Sequence, residues 1–185
     1  MNTATAKRLF GINAFIAWLG YGLSQLINIF DLVPAKPPTE PVLLNLFTQP
    51  EAGLAGAIDR VFNSHGYFTT WSNLLVAITL TVLYQHPTVR SATREWLRNS
   101  ALLMITMTFV LYNILLAPYA KVESFNIITN LLTHYITPLI TIAVWVVAGP
   151  RGRFNFTHTF SVFIVPIAYL AYTLVHGALA SVYPY

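Results

Sequence analysis

The sequence predicts an all-α, polytopic integral membrane protein: one membrane domain over residues 1–185, built as a helical bundle of five spans. Three observations predict it. Hydrophobic residues make up 56% of the chain and charged residues only 9%, where a soluble domain carries about a quarter charged. Five stretches are long and apolar enough for a hydrocarbon core that takes roughly 20 such residues. Lysine and arginine gather in the connections on one side of those stretches, a topology signal and not a nucleic-acid footprint. The chain has no cysteine, which excludes disulfides, thiolate metal sites and cysteine nucleophiles. It shows no internal repeat and no low-complexity tract.

The first span covers about 9–33. Lys7 and Arg8 precede it, and Val33-Pro34-Ala35 loosely fits a signal cleavage site. The run is longer than the 7–15 residues of a signal h-region, so it is read as a retained helix. PAKPPTEP (34–41) stops it, because proline cannot continue a helix. An outer loop, 34–64, follows. Its later part, EAGLAGAIDRVFN (51–63), has the pattern of a short helix lying on the membrane surface. The remaining spans are expected at about 67–84, 101–120, 127–148 and 160–182.

Lys7, Arg8, Arg90, Arg94, Arg98, Arg151 and Arg153 fall on one side of this arrangement. Lys36, Arg60 and Lys121 fall on the other. The positive-inside rule then places the amino terminus in the cytoplasm, the 34–64 and 121–126 connections outside, and the C-terminus outside.

Topology converts position into depth. In GYFTTWSNLL (66–75), Thr69, Thr70 and Asn73 lie within roughly 10 Å of the outer boundary, at 1.5 Å per helical residue. Asn130 and His134, four residues apart, share one face of the fourth span near the same boundary. Asn113 and His176 approach it from the ends of the third and fifth spans. Gln25, Asn28 and Asp31 approach it from the first. Polar groups are costly in lipid and face the bundle interior or a wet cavity.

Two interpretations stay open at this point. Asparagine and threonine join helices by hydrogen bonds worth about 0.6 kcal/mol each, and His158 and His176 fit a structural role. His65 and His86 sit at span ends, where interfacial placement suffices. Trp18, Trp71, Trp96 and Tyr183 suit anchoring or packing. The alternative is chemistry. A threonine hydroxyl becomes a nucleophile beside a base. A histidine takes its proton and returns it to a leaving group. Asparagine amides orient the base or stabilise an oxyanion. Asp31 is the only acid at suitable depth for a third member.

GYFTTWSNLLVAI (66–78) resembles the Tyr-Phe-Thr-x-x-Ser/Thr-Asn-Leu-Leu stretch of the androgen-induced and androgen-dependent integral membrane proteins and their bacterial relatives. NLLTHYITPLI (130–140) is similar to that family's Asn-x-x-x-His segment followed closely by proline. YTLVHGALASVYPY (172–185) resembles the stretch before the family's last helix. The resemblance implies hydrolysis of fatty acid esters of hydroxy fatty acids, with Thr69 as nucleophile, Thr70 as fallback and His134 as base. Asn73, Asn113 and Asn130 would be supporting polar residues. It implies no cofactor and no metal, membrane lipids or fatty acid esters as partners, no nucleic acid, and a bacterial inner membrane location. Members of the family generally continue past the Tyr-Pro into a sixth span; five are read in this sequence, which is either a short form or continues beyond Tyr185.

Two rivals remain. One is a non-catalytic accessory subunit of a larger membrane complex, with protein partners. The other is a pigment or haem binder using His134 or His176 as axial ligand.

Overall fold

Asn2 starts the first helix. Its side-chain oxygen accepts the Ala4 N–H at 2.6 Å and the Thr5 N–H at 3.4 Å, satisfying amides that have no carbonyl one turn before them. Helix α1, Thr3–Phe30, therefore begins earlier than the apolar run that announces it. It ends at Asp31, which adopts the left-handed conformation of a helix C-cap (φ 54°). The computed structural model describes residues 2–33, 51–88, 91–149 and 160–180. Within the expected outer loop, 34–50 lie outside the described residues, and the rest is largely helical.

A single 3₁₀ turn, Gly53–Gly56, leads into α2, Ala57–Ser64. α3 is Phe68–Gln85, and the α2 arm meets it at 84°. Side chains hold this corner: the Thr70 hydroxyl donates to the Ser64 carbonyl at 2.6 Å and Trp71 Nε1 to the His65 carbonyl at 2.7 Å. α4 runs Ala92–Leu116, capped by Ser91, whose hydroxyl accepts the Arg94 N–H. α5 runs Asn126–Ala148 and α6 Ile164–Ala180.

α1, α3, α4 and α5 close into a ring, α1 and α4 each lying between α3 and α5. α6 leans on the outside of α4. Trp96 Nε1 donates to the Ser161 carbonyl near its start, and Tyr169 OH donates to the Gly66 carbonyl further along. The described residues are helices and connections without strands, so the all-α expectation stands. Three helices, α1, α4 and α5, are long and apolar enough to cross a membrane, and the α2–α3 pair makes four if it is one broken span. α6 is apolar but shorter. By length and composition, then, the described residues give three or four candidate spans, and the expected count of five is not confirmed.

The interior inverts that of a soluble domain. Asn13, Ser72, Ser100 and Thr137 are completely buried, while Phe15, Val147 and Ile167 are more than 60% exposed. Water disfavours such a surface at about 25 cal/mol per Å² of apolar area, whereas hydrocarbon does not. The apolar part of the core is built from small and branched residues, including Ala14, Ala17, Val76, Ala77, Ala101 and Ile105. Gly20 lets α1 close on α5: a Cβ there would sit 3.2 Å from Leu132 Cβ. Asn13 and Thr141 bond each other across the same interface, the Asn13 amide donating at 3.2 Å.

Arg60 clamps the end of α1. Its guanidinium donates to the Asn28 carbonyl at 2.6 Å, the Ile29 carbonyl at 3.3 Å, and the carbonyls of Glu51 and Gly53. Asp31 lies 3.8 Å from Arg60 Nε and accepts the Gly53 N–H at 3.1 Å. A cation at a helix C-terminus meets carbonyls that have no intrahelical donor. Asp31 is thereby committed to this clamp. It is not the third member of a catalytic triad, as its depth had suggested.

Candidate active site

Thr69 is the second residue of α3, where helix amides have no carbonyl one turn before them and the macrodipole is positive. Its hydroxyl faces the imidazole of His134, with Oγ1 3.0 Å from Nε2. The neighbours fix the tautomer. Thr133 has one hydroxyl proton and donates it to the Thr129 carbonyl at 2.7 Å. Toward His134 Nδ1, 3.3 Å away, that hydroxyl can only accept, so Nδ1 carries the hydrogen. The backbone carbonyl of Asn130, another acceptor, lies within interaction range of the same ring. Nε2 is left with its lone pair toward Thr69, and the Thr69 hydroxyl donates to it. This is the nucleophile–base–orienter order of acyl-transfer sites, with a hydroxyl and a carbonyl in place of an acid.

Two prolines shape the walls. In α5, Pro138 has no N–H to give the His134 carbonyl four residues back, and its ring would collide with that carbonyl. The ladder widens there instead: the Thr137 N–H reaches the Leu132 carbonyl, five residues back, and Leu132–Ile136 form a π turn. In α4, Pro118 follows Tyr112–Leu116 with the same offset, and the Ala117 N–H donates to the Tyr112 carbonyl at 2.8 Å. These two π turns meet. Tyr112 stacks on His134 with ring centroids 3.8 Å apart and an interplanar angle of 25°. The Asn130 side chain lies within interaction range of the Tyr112 hydroxyl. Such π bulges recur at functional sites because the extra residue re-aims a side chain.

The other expected site residues separate into those at the site and those away from it. Asn73 is buried beside it, but its amide spends both hydrogens on carbonyls, Thr69 at 2.9 Å and Thr133 at 3.1 Å. It ties α3 to α5 and has no donor left for an oxyanion. Thr70, the fallback nucleophile, holds the α2–α3 corner through Ser64 instead of facing His134. Asn113 donates to its own helix at the Phe109 carbonyl, 2.8 Å away. Asn130 contributes through its carbonyl as well as its amide. Both ring nitrogens of His176 are buried beside Phe62 and Tyr172, without a hydrogen-bond partner among the described residues. His158 lies outside the described residues. Axial ligation through His134 Nε2 would take the lone pair that now faces the Thr69 hydroxyl.

Sequence reasoning passed over Tyr112 and Thr133. Thr133 carried a usable signal: Thr129, Thr133, Thr137 and Thr141 recur every fourth residue and are all buried. Tyr112 had only its offset from Pro118, the same six residues that separate Leu132 from Pro138.

A cavity of about 30 Å³, room for a water molecule or two, lies among Phe10, Thr79, Leu80, Thr141 and Val144. Thr79 is ten residues past Thr69, about 15 Å along the helix. The cavity therefore sits in the other half of the bundle and is not the apolar substrate cavity a fatty ester would need at Thr69. Compared with known protein families, curated proteins and solved structures, the chain matches none.

Proposed function

We propose that this membrane protein is a lipid-ester hydrolase, with Thr69 as nucleophile and His134 as general base. The observation that carries the proposal is the 3.0 Å contact between Thr69 Oγ1 and His134 Nε2, in a network that leaves Nε2 unprotonated. Nε2 takes the hydroxyl proton as Oγ1 attacks the ester carbonyl carbon. The tetrahedral intermediate collapses, the ester C–O bond breaks, and the imidazolium returns the proton to the departing alkoxide. Water then gives a proton to Nε2 and attacks acyl-Thr69, releasing the carboxylic acid and restoring the threonine. Tyr112 holds the ring plane, and Thr133 with Asn130 holds the tautomer. The resemblance points to fatty acid esters of hydroxy fatty acids as substrates.

Purified protein is assayed for release of fatty acid from such esters, beside Thr69→Ala and His134→Ala. Activity lost in both variants supports the proposal. An inactive wild type that co-purifies in fixed ratio with another membrane protein replaces it with the accessory-subunit role.

For topology we propose five spans in a bacterial inner membrane, with the N-terminus cytoplasmic. Lys7 stands over the Tyr84 ring at 5.2 Å and Arg94 donates to the His86 carbonyl at 2.9 Å, so these cations share one end of the bundle. Lys121 lies in the connection between α4 and α5, at the Thr69 end. Cysteines introduced at these positions in a cysteine-free chain are expected to react with an impermeant thiol reagent on intact cells at 121 and not at 7 or 94. The reverse pattern inverts the orientation.

A further inference from the structure

α2 is amphipathic in the sense opposite to a soluble protein's surface helix. Gly56, Arg60 and Ser64, four apart, are buried against the bundle, so its inward stripe is polar. Leu54 and Ile58, on the outward stripe, are 66% and 80% exposed. The outward stripe continues to Phe62, whose ring packs on His176 at 5.7 Å. His176 belongs to α6, which exposes Leu170, Leu174 and Val175. On the other side, the last turns of α1 expose Leu26 and Phe30. The exposed apolar face of α2 thus lies beside two neighbouring apolar helices that themselves expose large apolar side chains. The 84° corner turns α2 across the end of the bundle instead of along it. Thr69 follows only five residues after its last residue, Ser64.

We propose that α2 is an interfacial lintel, with Leu54 and Ile58 sunk in the acyl chains of the leaflet at the Thr69 end. A helix at that depth sets the level of the site. Thr69 and His134 then meet their substrate where head groups give way to hydrocarbon. The substrate class is a membrane-resident amphiphile carrying its ester at that boundary, not an ester dissolved in water. The substrate class rests on the hydrolase reading; the depth of α2 stands on geometry alone.

Nitroxide labels on Leu54→Cys and Ile58→Cys in proteoliposomes test the depth. Leu139→Cys, at an exposed mid-span position, is the lipid reference and Lys121→Cys the aqueous one. Collisions with oxygen are expected to dominate over collisions with a water-soluble nickel chelate at 54 and 58, as at 139. Nickel dominance, as at 121, overturns the lintel. Restricted access to both reagents, with or without label–label broadening, assigns the face to a protein partner or second copy and overturns it too. For the substrate class, Ile58→Arg is expected to lose at least tenfold of the activity on a long-chain ester in vesicles while keeping that on a soluble short-chain ester. Equal loss on both, or none on either, overturns the substrate class. A wild type inactive on both esters overturns the hydrolase while the label experiment still decides the depth of α2.

Discussion

Thr69→Ala and His134→Ala are each expected to lower ester hydrolysis about 1,000-fold or more, with the protein still folded and monodisperse. Thr69→Ala removes the attacking oxygen. His134→Ala removes the only imidazole within hydrogen-bond reach of it among the described residues, and general-base catalysis contributes about 10²–10⁴-fold. The double variant is expected to be no worse than either single one, because removing one member disables the unit. Thr70→Ala separates nucleophile from scaffold. Its hydroxyl caps the Ser64 carbonyl, so its loss costs about 1 kcal/mol of stability and leaves most of the activity. Activity in His134→Ala equal to wild type would remove the mechanism.

Arg60→Ala is expected to be the most destabilising substitution outside the packed core. Arg60 is only 8% exposed, and its guanidinium serves four carbonyls besides Asp31. Truncating it leaves Asp31 and the end of α1 without their partner, at a cost of about 3 kcal/mol or more. In a chain of this size that lowers the thermal midpoint by about 6–12 °C. Arg60→Lys is expected to recover little, because a single ammonium cannot reach the carbonyls of Asn28, Ile29, Glu51 and Gly53 together. Midpoints of both variants in one detergent check this. A shift under about 1 °C for Arg60→Ala would show that the clamp is not what holds α2 to α1.

The fold class was legible because apolar length and scarcity of charge need no tertiary information. Helix boundaries were less so. The hydropathy pattern placed the starts of α1 and α4 several residues late, because polar capped turns at Asn2 and Ser91 precede the apolar runs. By length and hydropathy the described residues give three spans, or four with the α2–α3 pair: α6 falls short in described length, and the Thr-Thr-Trp-Ser-Asn start of α3 lowers its hydropathy.

At the candidate site, the shared depth of Thr69 and His134 could be read from topology, but their contact could not. That contact depends on two π turns imposed by Pro118 and Pro138, and on α1 closing over Leu132 at Gly20. The choice between Thr69 and Thr70 was equally hidden. Adjacent residues on a helix differ by about 100° in direction, so one faces His134 and the other the α2 corner. Asp31 shared the depth of the site, but depth does not reveal the buried Arg60 that claims it.

The most direct measurement is residue-level mapping of a fluorophosphonate adduct by mass spectrometry. A threonine activated by its histidine displaces fluoride and retains the phosphonyl group. The account predicts one adduct, on Thr69, in wild type and in Thr70→Ala, and none in His134→Ala. An adduct on another residue, or equal labelling of Thr69 in His134→Ala, would contradict it.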